Sequence, residues 1–343
     1  MQRIKTRGST EPSSEGEGGA EVECIVPFDF TDASRRALRW AVSIVRGARV
    51  PMRVTLVHAV EPTALGESAE FRGLLEARGR ERMLVECDRI APRGLRDGVR
   101  IDRECEVGDV VGMVRARAGR AARTLVVVGD RGLGAVRRAI LGSTTDRLLR
   151  ELDCPTLVVR GEPDEQAPPA ARTVLVATDF SRDADAALEA AHLMCDTVPR
   201  AGAAAAVRVE LVHVVASTPL LEVSERASLA TTPAPAPASI PELPPAEVAH
   251  PEAGIARTLE DAALAFRAAA HAAGAEVEVT TRIEHGDLVH ALASEAERMH
   301  ASVIVLGRHT VGILERVLTG STAERVVHAT QRSVLTARAT TPR

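Results

Sequence analysis

Tyrosine is absent, and the 343-residue chain carries only one tryptophan and five phenylalanines. That leaves too few rings for a platform on which single-stranded nucleic acid could stack. A formal net charge of −4 over this length gives no general attraction to nucleic acid or to anionic lipid. Nearly every positive charge is arginine, a usage that suits bidentate anion contacts and follows equally from a genomic bias. The five cysteines, Cys24, Cys87, Cys105, Cys154 and Cys195, are odd in number, far apart and without a C-x-x-C pair. They read as structural thiols of a reducing cytoplasm rather than as a disulfide or metal framework. No apolar run has the length to span a bilayer. Residues 1–20 are polar, rich in Gly, Ser and Glu, and lack the apolar stretch of a secretion signal. A disordered tail on a soluble, cytoplasmic protein is expected.

What is present is a globular composition, 45% apolar and 26% charged, in a chain long enough for two domains with a core each. Laid on itself, the chain repeats. Residues 24–38 read CIVPFDFTDASRRAL and residues 174–188 read VLVATDFSRDADAAL, so that Asp29 falls on Asp179. VTLVHAV (54–60) falls on VELVHVV (209–215), and VGDVVGMVRARA (107–118) on HGDLVHALASEA (285–296). LVVVGDRGLGAVRRAILGSTTDRLL (125–149) falls on IVLGRHTVGILERVLTGSTAERVV (304–327), with Gly129 on Gly307 and Gly142 on Gly320. Two domains follow, 21–160 and 172–340, joined by a proline-bearing linker at 161–171. The second holds an insertion at 217–251, whose TTPAPAPASIPELPP is too proline-rich for a helix or a ladder and is expected to be an extended loop.

Within the first copy, short apolar runs at Cys24–Pro27, Val54–Ala59, Val99–Val107, Thr124–Gly129 and Thr156–Arg160 have the character of buried parallel strands. Helical stretches lie between them. Thr31 is placed to cap a helix whose Ala37, Leu38, Ala41, Val42 and Val45 share one face and which stops at Gly47. Leu65–Ile90, Val110–Gly119 and Ser143–Leu152 supply the other helices. Strict alternation predicts an α/β chain of two tandem doubly wound, open parallel sheets.

The segment Gly129-Asp-Arg-Gly132, nine residues, then Gly142-Ser143-Thr144 runs from a strand end to a helix start. Both lie at the carboxyl edge of the sheet, where such folds bind ligands. Glycine admits positive φ and close approach, and a helix start offers N–H groups and a positive dipole end to an anion. Ser143 and Thr144 add hydroxyls, and Arg131, Arg137 and Arg138 add charge. Two tight turns around an ordinary helix explain the same glycines. Asp29, at the end of the neighbouring first strand, would face this loop and accept from a ribose hydroxyl or an adenine amino group. An Asx cap before the helix explains it as well, and the two roles are compatible.

The G-x2-G-x9-G-[S/T] spacing, the opening P-x-D-x-[S/T], the strand ending in His-Ala or His-Val and the closing Cys-Pro-x-Leu-Val-Val at Cys154–Val159 together resemble the universal stress proteins. The resemblance covers both copies. It implies five-stranded Rossmann-like sheets of order 3-2-1-4-5, a cytoplasmic, stress-linked regulatory role and pairing of domains, within the chain or in a homodimer. For the first copy it implies ATP, with Mg2+ as an accompanying ion. Pro27, Phe28, Asp29 and Ala59 would then sit near adenine and ribose, and Gly129, Arg131, Gly132, Gly142, Ser143 and Thr144 would hold phosphates. The second copy keeps Asp179, Gly307, Gly320, Ser321 and Thr322. It has Thr310 for the second glycine, Ala177 for the proline and Arg332 for the closing proline, so its site is expected to be weaker.

The remaining candidates read as structural. His58 and His213 sit at equivalent strand ends without a ligand cluster, so each is expected to be a satisfied structural histidine. His285, His290 and His300 are assigned to the surface, and Arg35-Arg36 to a solvated helix face. The functional expectation is an ATP-binding stress regulator rather than an enzyme. The alternatives are a nucleotide-free interaction scaffold and a slow ATP hydrolase. No S-G-G-x-D-S loop, His-x-Gly-His turn or P-loop lysine supports an enzyme.

Overall fold

A computed structural model describes residues 21–61, 68–90, 98–121, 123–130, 141–160, 172–196, 206–216, 251–308 and 322–339. The tail at 1–20, the linker at 161–171 and 217–250 of the insertion lie outside the described residues. The first copy runs β1 (Val22–Pro27), α1 (Asp32–Gly47), β2 (Met52–Val60), α2 (Ala69–Ile90), β3 (Ile101–Val107), α3 (Val110–Ala118), β4 (Arg123–Gly129), α4 (Ser143–Glu151) and β5 (Thr156–Val159). The second runs β6 (Thr173–Ala177), α5 (Arg182–Asp196), β7 (Val207–Val215), α6 (Pro251–Ala272), β8 (Val277–His285), α7 (Leu288–Arg298), β9 (Val303–Gly307), α8 (Thr322–Ala329) and β10 (Ser333–Ala337).

Helix α1 shows why these segments fold as they do. Thr31 Oγ1 accepts from Ser34 N at 3.3 Å, satisfying one of the unpartnered N–H groups of the first turn. Ala37, Leu38, Ala41 and Val42 then recur on one buried face with Ile44, and half-buried Val45 packs against the same core. In the strands, side chains alternate between faces. Cys24 and Val26 of β1 point to one core cluster and Ile25 to the other.

Each copy has the order 3-2-1-4-5, and the two are not separate sheets. They join edge to edge in one ten-stranded sheet, β3-β2-β1-β4-β5-β10-β9-β6-β7-β8. All neighbours are parallel except β5 and β10, which are antiparallel with Val334 opposite Val158, Leu335 opposite Leu157 and Thr336 opposite Thr156. The pairing that the sequence left open between one chain and two is thus made within the chain. One face of the whole sheet is covered by α1, α2, α5 and α6, the other by α3, α4, α7 and α8, and each core cluster runs through both copies.

All five cysteines are free thiols. Burial pushes the Cys87 and Cys154 thiols up to about 11 and Cys195 up to about 12. At neutral pH they are protonated and packed, as small apolar groups are.

Side chains from each copy reinforce the seam. Arg308, just past β9 and 7% exposed, donates to the carbonyls of Leu149, Leu152 and Cys154 around the end of α4. Arg160, just past β5, donates to Thr330 O at 2.6 Å, and its N–H to Ser333 Oγ at 3.1 Å. Arg338 pairs with Asp153 at 3.0 Å. Replacing Arg308 by Ala orphans buried carbonyls, so stability to urea is expected to fall by about 3 kcal/mol, with Arg308→Lys recovering only part because an ammonium lacks the fork. A loss below about 0.5 kcal/mol, the range of ordinary surface changes, would show the contact to be incidental.

Candidate functional site

Residues at the carboxyl ends of β1, β2, β3 and β4 meet around one cleft. After β1, Phe28 N–H donates to Val57 O at 2.8 Å and holds the chain beside β2. Asp29 Oδ1 accepts from Thr31 N–H at 3.1 Å and from Thr31 Oγ1 at 2.5 Å. Asp29 therefore does organise the start of α1, and it lines the cleft as well. Phe30 adopts φ of 63°, and Phe180 repeats the value in the second copy. A left-handed phenylalanine is costly and persists where its surroundings hold it. Here Phe28 and His58 meet Phe30 edge-on at 5.1 and 4.8 Å, and the Arg82 guanidinium lies 3.9 Å over its ring.

His58 is the satisfied histidine expected. Its Nδ1 is 2.7 Å from Phe28 O. A carbonyl only accepts, so Nδ1 carries the proton of the neutral ring. Burial depresses its pKa, outweighing the opposing bond to Phe28 O. His213 makes the equivalent contact with Thr178 O at 2.9 Å. His285, His290 and His300 are exposed, and His300 lies beyond the end of α7 with φ of 51°, so it shares no helix with His290.

The glycine loop is anchored at both ends. Gly142 N–H donates to Asp130 O at 2.9 Å, and Thr145 Oγ1 to Gly129 O at 2.7 Å. Asp130 is 4% exposed and receives Arg36 Nη2 at 2.9 Å. Arg36 is therefore no solvated residue, and neither is Arg35, which pairs with Glu86 through Nε at 3.0 Å and Nη2 at 3.1 Å. The glycines also differ from expectation. Gly129 is needed for packing: a Cβ there would lie 2.5 Å from the carbonyl carbon and oxygen of Ala33, on the first turn of α1. Gly307 repeats this at 2.6 Å from Asp183. Gly142 has φ of −65° as N-cap of α4 and makes no side-chain cap, and Gly142 and the first turn of α4 line the opening.

At the end of β3, Gly108 leads into Asp109, whose Oδ2 accepts from Gly112 N–H at 3.0 Å and caps α3. Arg147 grips Asp109 with two bonds of 2.8 and 3.1 Å. The Arg147 contact, then the Gly112 amide, hold the Asp109 carboxyl below the usual carboxylate range.

The resulting cleft has a volume of about 810 Å³, within the range of pockets that take a small molecule. Pro27, Phe28, Asp29, Ala59, Gly129, Gly142, Ser143 and Thr144 all line it. The Phe28 ring is buried in the core at 2% exposure, so its contribution to the lining is essentially backbone. Arg131 and Gly132 lie outside the described residues, with Arg137 and Arg138. The sequence reading missed Ser34, Gly108, Asp109, Thr145, Asp146, Arg150 and His328, which also line the cleft. Only Gly108-Asp109 carried a signal, as a dipeptide repeated at Gly286-Asp287. In the second copy Asp179 and Gly307 keep equivalent places, and Asp179 Oδ1 accepts from Ser181 N–H at 3.1 Å. Thr322 opens α8, while Thr310, Gly320 and Ser321 lie outside the described residues. Among the described residues no group of three or more His, Cys, Asp or Glu side chains is arranged for a metal, and no helix is long and apolar enough to cross a membrane.

Comparison with known proteins places the chain. The model of the Universal stress protein family matches residues 23–160 and again 170–338. A universal stress protein of Mycolicibacterium smegmatis is 27% identical over 336 residues, covering 94% of this chain and 99% of its own. A universal stress protein of Thermus aquaticus is 32% identical over 141 residues, 40% of this chain and 96% of its own. Among solved structures, a universal stress protein from Archaeoglobus fulgidus superposes with a TM-score of 0.63 at 18% identity, covering 93% of this chain and 98% of that one.

Two expectations come from this geometry. Gly129→Ala is expected to lose about 1–3 kcal/mol by overpacking against Ala33 in ligand-free thermal unfolding; an unchanged midpoint would return Gly129 to a purely ligand-facing role. His58 has a folded pKa below its ordinary value near 6.5, so the unfolded chain takes up the proton first as pH falls. Stability contributed by the neutral ring is full above about pH 6.5 and declines below it. Denaturation at pH 7.5 and 5.5 should show a smaller loss in His58→Asn than in the unaltered chain, and equal losses would refute the assignment.

Proposed function

Because the chain belongs to the universal stress protein family, we propose that its first copy is a regulatory module of the cytoplasm that holds ATP, with Mg2+ carried on the phosphates. The observation that carries this reading is the start of α4. Its first turn lines a cleft of mononucleotide size that Asp29 also lines, and its N-cap, Gly142, brings no capping side chain of its own. N–H groups at a helix start favour phosphate. Gly142, Ser143 and Thr144 hold the phosphates in this reading, with Arg131 and Gly132, outside the described residues, assigned to the same phosphates by the glycine spacing. Adenine and ribose lie against Pro27, Phe28 and Ala59. Asp29 gives Oδ1 to Thr31, which leaves Oδ2 to accept from a ribose hydroxyl. Mg2+ bound with a nucleotide is held largely by phosphate oxygens and water, so it calls for no dedicated protein cage.

Holding suits this cleft better than turnover. A general base must hold a pKa near the working pH and be ready to take a proton, and Asp109 is instead fixed by Arg147 and the α3 cap with its pKa lowered. The second copy serves in this proposal as an intramolecular pairing partner with a weaker site at Asp179, Gly307, Gly320, Ser321 and Thr322. Support comes from Arg308, which stands where the first copy has Asp130 and is turned into the seam.

Thr144→Glu separates binding from folding. A carboxylate in the first turn of α4 favours the helix by about 0.3–1 kcal/mol while repelling phosphate. Calorimetric titration should show ATP affinity falling at least tenfold with the melting midpoint unchanged or raised. An unaltered chain that shows neither heat nor thermal stabilisation with millimolar Mg2+-ATP would end the proposal, because saturating ligand stabilises by about 2.7 kcal/mol at a hundredfold excess over Kd.

A further inference from the structure

The first copy's cleft is not built by the first copy alone. His328, exposed on the last turn of α8, lines it together with Asp146 and Arg150 of α4. The antiparallel pairing of β5 with β10 brings α8 beside α4, and Arg150 Nε meets Glu324 Oε1 across the seam at 3.3 Å. In the repeat, His328 falls on Arg150 and Glu324 on Asp146. The approximate two-fold axis of the seam that sets Arg150 beside Glu324 therefore directs His328 toward Asp146.

Charge decides what such a residue does. The described lining carries four carboxylates, Asp29, Glu61, Asp109 and Asp146, and one guanidinium, that of Arg150. A polyphosphate entering there adds more negative charge, and Arg150 is already shared between Asp146 at 2.9 Å and Glu324. Arg150 also reaches the right end of the cleft. Side chains of a helix lean toward its N-terminus, and the Asp146 contact draws the guanidinium back toward the amides that begin at Gly142. His328 lines the same cleft, and an imidazole N–H donates to a phosphate oxygen in its neutral and its protonated form alike.

Resting on the nucleotide reading, we propose that His328 of the second copy contacts the distal phosphates of the nucleotide held in the first, so that one site is built from both copies and prefers a triphosphate to a monophosphate. The second copy then registers occupancy directly, through α8.

The test uses the full chain, Mg2+-ATP and AMP, with the unaltered protein, His328→Ala and His328→Lys. Titration of His328→Ala is expected to show ATP affinity reduced about five- to tenfold, AMP affinity unchanged and the melting midpoint unmoved, with His328→Lys restoring most of the ATP preference. The His328 ring proton resonances should shift with ATP and not with AMP. ATP affinity equal to that of the unaltered chain, or ATP and AMP affinities falling together, overturns the assignment of His328 while the nucleotide reading stands. An unaltered chain that binds neither nucleotide overturns both.

Discussion

The rest of the structure depends on a three-rung antiparallel contact between two short edge strands, β5 and β10. A five-stranded open sheet ends in a strand with unpaired N–H and C=O groups, an invitation to association. Here each copy supplies the other's missing neighbour, with Leu157 and Leu335 fully buried at the centre. The parallel interiors of the two halves stay as the βαβ rule requires, and the one antiparallel seam follows from an approximate two-fold axis. Both faces then share a continuous core, so neither half buries its apolar surface independently of the other.

The seam also accounts for how duplicated positions have diverged. Asp130 and Arg308 stand at the same place after the fourth strand of their copies and are both nearly buried. A buried charge must be answered locally, and the two answers differ. Arg36 meets Asp130, which ties α1 to the base of the glycine loop. Arg308 meets carbonyls around the C-terminal end of α4, where the helix dipole favours a cation. One reversal of charge thus turns a loop support into a clamp between halves. The clamp holds the same helix whose other end faces the cleft, so the geometry of the first copy's site is set partly by the second.

The cleft combines rigid and committed parts. Gly129 and Gly307 let the fourth strands press against the helix that follows the first strand, and Thr31, Asp109 and Asp287 cap the helices that start at the sheet's edge. The charged groups around the opening are largely spoken for by their neighbours, Asp109 by Arg147 and Asp146 by Arg150. The start of α4 lines the same opening, and amides at a helix start suit an anion.

Much of this was legible before any coordinates. Periodicity and caps are local properties, so alternation of strand and helix, the Thr31 cap and the stop at Gly47 could be read directly. Pro27, Asp29, Ala59 and Gly142 come from distant parts of the chain yet meet, because strand ends of a parallel sheet converge on one edge. The reason for Gly129 was not legible, since a glycine demanded by packing and one demanded by a ligand look alike in sequence. Nor were the partners of Arg35 and Arg36, because Glu86 and Asp130 lie 51 and 94 residues away and no local pattern encodes who meets whom. His328 carried no signal at all. The amino-acid sequence by itself determined a duplicated α/β unit and the residues of one sheet edge. Only tertiary packing decided that the two edges close on each other and place a second-copy side chain in the first copy's cleft, because strand pairing and helix docking act across the whole chain.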